Sequence, residues 1–165
     1  MEDYVVPAVV VDRGVVYVTG GRRPKTAAIR AGGRGDVTES HLLWELRKCT
    51  KVPTPLLHDG LLYWVDQKGM AGCVDAKTGE LVYQERLDDL SGTPDKVYAS
   101  LVLADGKLYA VSCRSGTVVL ATGREFKKLA QNDLGDPSVF NATPVIGNGQ
   151  LLLRSDRFLY CIGKE

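Results

Sequence analysis

Residues Pro53-Thr54-Pro55-Leu56-Leu57-His58-Asp59-Gly60-Leu61-Leu62-Tyr63-Trp64 read as a β-hairpin. Two apolar runs flank Asp59-Gly60, and an Asp-Gly pair supplies the positive-φ positions that a tight two-residue turn needs. The same phrase is written three more times along the chain. Pro7 to Val18 turns at Gly14, Ala99 to Ala110 at Gly106, and Ala142 to Leu153 at Asn148-Gly149. The four glycines stand 46, 46 and 43 residues apart. A period of about 45 residues means that one structural unit is being repeated.

Each hairpin is followed by a third apolar run: Ala27 to Arg30, Gly72 to Asp75, Thr117 to Leu120, and Phe158 to Ile162. A fourth run follows in the first three copies, at Leu42 to Leu46, Leu81 to Gln84, and Glu125 to Ala130, whereas the last copy stops at Glu165. Four antiparallel strands repeated at this spacing predict an all-β fold of β-propeller blades, each small sheet covering one face of the next. The expected blades are 4–48, 52–88, 97–133 and 139–163, a half-propeller whose last blade lacks its outer strand. The one segment with helical periodicity is Asp36 to Leu46. It begins with Thr38 and Glu39 as if capped, but it runs into an apolar stretch that suits an outer strand better.

The 165 residues, 44% hydrophobic and 25% charged, have the composition of one folded unit with a core. Twenty-one basic and 20 acidic residues leave a formal charge of +1, which draws neither nucleic acid nor an anionic membrane surface, so no nucleic-acid partner is expected. The longest apolar stretches, Tyr4 to Val11 and Gly149 to Leu153, are far shorter than the 18 or so residues a spanning helix needs, and no membrane span is expected. Met1-Glu2-Asp3 is acidic where an export signal would be basic, so none is expected in the chain itself.

Cys49, Cys73, Cys113 and Cys161 are spaced by 24, 40 and 48 residues, which excludes paired CxxC zinc ligands. Cys73 and Cys161 occupy equivalent places on the third strand, where other copies have Ala28 and Val119, and so read as interchangeable core packing. Two disulfides or a reactive thiol are the alternative.

The second copy continues Cys73-Val74-Asp75-Ala76-Lys77-Thr78-Gly79-Glu80-Leu81-Val82-Tyr83. This closely resembles the Asp-Ala-x-Thr-Gly signature of pyrroloquinoline-quinone-like propeller repeats, the quinoprotein dehydrogenase-like family. Val15 to Gly21, Ala28 to Thr38, His41 to Trp44 and Leu159 to Gly163 are similar to the C-terminal half of bacterial, planctomycete-type propellers of this class. The resemblance implies that Asp75 and Thr78 bridge a tight turn while an outer-strand aromatic, Trp44 in the first copy and Tyr83 in the second, packs between blades. It implies a periplasmic or extracytoplasmic setting. It also implies a parent of seven or eight blades, with at least three blades missing here.

Dehydrogenases of that family hold a quinone, a calcium ion and an Asp base on the axis of a complete ring. Their adjacent-Cys pair has no counterpart among four isolated cysteines. We therefore assign no catalytic, cofactor-binding or metal residue and expect no cofactor. His41 lies at the approach to an outer strand and His58 in a hairpin turn, both better read as solvated. No Gly-x-Ser-x-Gly elbow accompanies any serine, although triads are defined by geometry rather than spacing. Asp88, Asp89 and Asp95 lack the alternating ligand spacing of calcium loops. Arg34-Gly35-Asp36, Asn141-Ala142-Thr143 and Arg22-Arg23-Pro24-Lys25 match an adhesion tripeptide, a glycosylation acceptor and a phosphate-binding cluster, but all three are common by chance.

A non-catalytic scaffold that binds a protein or ligand is the reading these residues favour, with a fragment of a quinoprotein dehydrogenase-like enzyme as the alternative. Four blades leave two apolar sheet faces uncovered, which predicts association. The expected partner is a second copy closing an eight-bladed ring, or the missing blades of a parent. Glu2 to Val6 is placed to lend a strand to the last blade from a partner, or to begin the ring.

Overall fold

The computed structural model describes residues 5–21, 23, 25–90, 97–114 and 116–163. Its strands are β1 Val10–Asp12, β2 Val15–Gly20, β3 Lys25–Arg30, β4 Leu42–Leu46, β5 Leu56–His58, β6 Leu61–Val65, β7 Met70–Asp75 and β8 Leu81–Arg86. They continue with β9 Val102–Ala104, β10 Lys107–Val111, β11 Thr117–Ala121, β12 Lys128–Asn132, β13 Val145–Gly147, β14 Gln150–Arg154 and β15 Leu159–Gly163. Consecutive strands pair antiparallel into three four-stranded sheets and, among the described residues, a last sheet of three, β13-β14-β15. The all-β propeller reading holds.

The hairpins form as the repeated phrase requires. Arg13-Gly14, Asp59-Gly60, Asp105-Gly106 and Asn148-Gly149 all have positive φ at both positions, the geometry whose twist matches that of the flanking strands. The pairing is in step from sheet to sheet. Tyr17 faces Ala28, Tyr63 faces Cys73, Tyr109 faces Val119 and Leu152 faces Cys161. A register shift follows the third-strand residue of each four-stranded sheet, after Ala28, Cys73 and Val119. The segment before β4 resolves into both elements weighed from the sequence. One helical turn, α1 (Thr38–His41), gives way directly to the strand; no side chain caps it, and Asp36 Oδ1 accepts from the Thr38 amide at 3.0 Å in the turn before it.

The core lies between the sheets. Tyr17, Ala28 and Trp44 of the first sheet pack on Leu62, Trp64 and Val74 of the second. Tyr63, Val65, Ala71 and Cys73, on the opposite face of that second sheet, pack on Leu108, Ala110, Val118 and Leu120 of the third. All five residues of β6 are buried, because this sheet alone has its central strand covered on both faces by full neighbours. The third junction is thinner and centres on Val111, Phe140 and Leu153.

A second set of joints runs along the entrances of the innermost strands. The Ala8 amide donates to Thr54 Oγ1 (3.0 Å), the Thr54 amide to Ser100 Oγ (2.9 Å), and the Ser100 amide to Thr143 Oγ1 (3.0 Å). These residues precede their strands, where the amide has no ladder partner, and the next repeat supplies a hydroxyl instead.

The first turn places Arg13 at φ 44°, a conformation that costs an ordinary L-residue about 1–2 kcal/mol and Asn or Asp less. Arg13→Asn is therefore expected to stabilise the chain by about 0.5–1 kcal/mol. Denaturant unfolding would check this through a raised midpoint at unchanged slope.

Candidate interaction surfaces

The turn after β7 is built as a dock. Asp75 Oδ1 accepts from the Lys77 and Thr78 amides (3.0 and 3.2 Å), and Thr78 Oγ1 accepts from the Glu80 amide (3.2 Å). Gly79, at φ 77°, then presents bare backbone to the preceding sheet. Trp44 lies on it: a Cβ at Gly79 would stand 2.6 Å from the indole, and Trp44 Nε1 donates to the Ala76 carbonyl at 3.0 Å. The Asp–Thr turn and inter-blade aromatic implied by the family resemblance thus form one joint between the first and second sheets.

The second junction uses different atoms for the same purpose. Tyr83, in the register position of Trp44, packs edge-on against Phe126 with centroids 5.6 Å apart. The Gly123 amide donates to Tyr63 Oη at 2.9 Å, and Arg124 pairs with Asp75 Oδ2 at 2.9 Å. That arginine, helped by the turn amides, holds the Asp75 carboxyl below the usual aspartate range.

At the third junction the equivalent position is Ala130, opposite Val119. Between the third and fourth sheets lies a cleft of ≈ 910 Å³, lined by Tyr109, Leu134, Ile146, Leu151 and Ile162 among others. Ile162 is 40% exposed, whereas its register equivalents Val74 and Leu120 are buried.

The two end faces are apolar. The first sheet presents Val9, Val11 and Leu42 to solvent, and the fourth presents Val145 and Leu159. Here one expectation fails. Cys73 is buried, with its thiol pushed up to about 12 by burial, but Cys161 is exposed although it holds the same register position. Equivalent positions are equally buried only if both have a covering sheet, and among the described residues nothing covers the outer face of β15. None of the four cysteines forms a disulfide.

The remaining motifs do not converge. His41 Nδ1 meets Ser40 Oγ at 2.8 Å, and the ring leans over Gly33, while His58 Nε2 lies 3.3 Å from Asp59. Asn141 sits in the connection before β13 and accepts from the Cys113 thiol at 3.0 Å. Arg34, Gly35 and Asp36 are exposed in the loop before α1. Lys25 is engaged by Glu45 at 2.6 Å, while Arg22 and Pro24 lie outside the described residues, as do Asp95, the Asp89 side chain and Glu2 to Tyr4. Among the described residues no three His, Cys, Asp or Glu side chains gather to hold a cation. Among the described residues no helix is long and apolar enough to cross a membrane.

Gly79→Ala would drive a methyl group into the Trp44 ring at a positive φ and is expected to cost about 2–4 kcal/mol, read from the thermal or denaturant midpoint. The lowered Asp75 carboxyl makes a second expectation. Its contribution is fully present above the ordinary aspartate pKa and is lost as pH falls through the lowered value. Asp75→Asn should therefore destabilise by about 1 kcal/mol or less near neutrality, since Arg124 is largely solvated, and the difference should vanish in acid. Unfolding midpoints of both proteins between neutral pH and strong acid would check it.

No family model matches the chain, and no curated protein matches it. Solved structures do. BamB from Moraxella catarrhalis superposes with a TM-score of 0.70 at 15% identity, over 92% of this chain and 44% of that one. The quinohemoprotein alcohol dehydrogenase ADHIIG from Pseudomonas putida HK5 gives 0.64 at 17% identity, over 93% and 28%. The computationally designed Ika4 protein gives 0.68 at 14% identity, over 99% and 94%. The chain thus spans under half of BamB, under a third of the dehydrogenase and nearly all of Ika4. At such identities the likeness shows architecture alone, and the architecture is a run of β-propeller blades.

Proposed function

We propose that the chain is a non-catalytic propeller scaffold. It completes a ring by self-association or with the remaining blades of a parent, and it presents its connecting loops to a protein or ligand. One observation carries this reading: the first and fourth sheets each expose an apolar face, with Val11 62% and Leu159 68% accessible. A blade gains its stability from neighbours on both sides, and faces of this kind on a folded protein are association surfaces. The match to nearly the full length of Ika4 supports a run of this size as a unit.

Light scattering coupled to size-exclusion chromatography tests the reading, with the mass of two chains as the expected result. A single-chain mass at every concentration would overturn self-association. Dye reduction on addition of pyrroloquinoline quinone and calcium would overturn the non-catalytic assignment.

A further inference from the structure

The two end faces differ in a way that suits them to each other. In every sheet one register pair at the lower end of the second and third strands faces the following sheet: Thr19 with Thr26, Val65 with Ala71, Val111 with Thr117, and Arg154 with Leu159. In the first three sheets this pair is small and buried. The connecting chain shares the space above it, Leu87 and Leu90 at the second junction and Phe140 at the third. The fourth sheet carries bulk at this position itself. Leu159 is the most exposed large apolar residue of the described chain, and Arg154 makes no ion pair among the described residues.

The opposite end shows the reverse. The pair that receives a preceding sheet is Trp64 with Gly72 in the second sheet, Ala110 with Val118 in the third and Leu153 with Tyr160 in the fourth. In the first sheet it is Val18 with Ala27. Where Trp64 fills the second sheet's face by folding over Gly72, so closely that a Cβ there would lie 2.2 Å from the ring, Val18 leaves room. A hollow of ≈ 290 Å³ results, floored by Val18, Ala27 and Ile29 and edged by Leu42, Lys25 and Glu45.

We propose that this hollow receives Leu159 of a second copy, with the guanidinium of the second copy's Arg154 directed at Glu45 on the rim. The inference rests on the self-association reading and specifies its seam. The occupant is a second copy because the docking continues an interface already repeated within the chain, last face onto first face. Bulk meets a void, and Arg154 meets a carboxylate whose partner within its own chain is Lys25, 2.6 Å away. Two copies related by a two-fold axis make two identical seams and leave neither face open.

Sedimentation equilibrium of the whole chain and its variants tests the seam, with thermal melts confirming that each variant is folded. Leu159→Ser and Val18→Trp are each expected to raise the dissociation constant about tenfold or more, as loss of a central apolar anchor does. Glu45→Arg and Arg154→Glu should each weaken association, and the two combined should restore it. Association undiminished in L159S and V18W, or not restored by the double charge reversal, overturns the seam but leaves self-association standing. A wild-type chain that stays monomeric overturns both.

Discussion

A small sheet with apolar side chains on both faces cannot be stable alone, and everything in this chain follows from how that problem is solved by repetition. Each sheet covers one face of the next. The second sheet, walled on both sides, buries the whole of β6, including Tyr63 and Trp64. Fully burying one such large side chain is worth roughly 1.5–3 kcal/mol. The same strand position in the fourth sheet keeps Gln150 and Arg154 in water. Stability therefore grows with the number of junctions rather than with the number of residues, as in other stacked repeats.

The junctions are held at two radii by different chemistry. Near the innermost strands, a backbone amide reaches a hydroxyl of the next repeat. Near the outer strands, an aromatic ring packs on the turn of the next repeat. The inner joint is nearly invariant in geometry from 2.9 to 3.0 Å across three junctions. The outer joint changes from Trp44 on Gly79, to Tyr83 against Phe126, to nothing at Ala130.

The sequence made the periodic features legible. Asp-Gly and Asn-Gly turns placed the hairpins, and the Asp75 to Gly79 signature placed the dock of Trp44. What it hid depended on neighbours in space. Cys161 shares its strand position with Cys73, and no local pattern distinguishes a covered face from an open one. The helical turn Thr38–His41 was too short to separate from the strand it enters. The hydroxyl relay was present in the repeated phrases as Thr54, Ser100 and Thr143, but its meaning needed the packing of one sheet on another. The hollow at Val18 was likewise invisible until Trp64 showed what fills that place elsewhere.

The hydroxyl relay also has a direction. Every amide gives to the repeat after it, so each repeat needs a side-chain oxygen to be a good successor. Thr54, Ser100 and Thr143 have one, and Ala8 does not. In any ring the first sheet joins, the unit placed before it finds a methyl group where the others find an acceptor. That joint is short by about 1 kcal/mol, the net worth of one such bond. In a ring so closed, the contact in front of Ala8 would be an inner joint made without a side-chain acceptor.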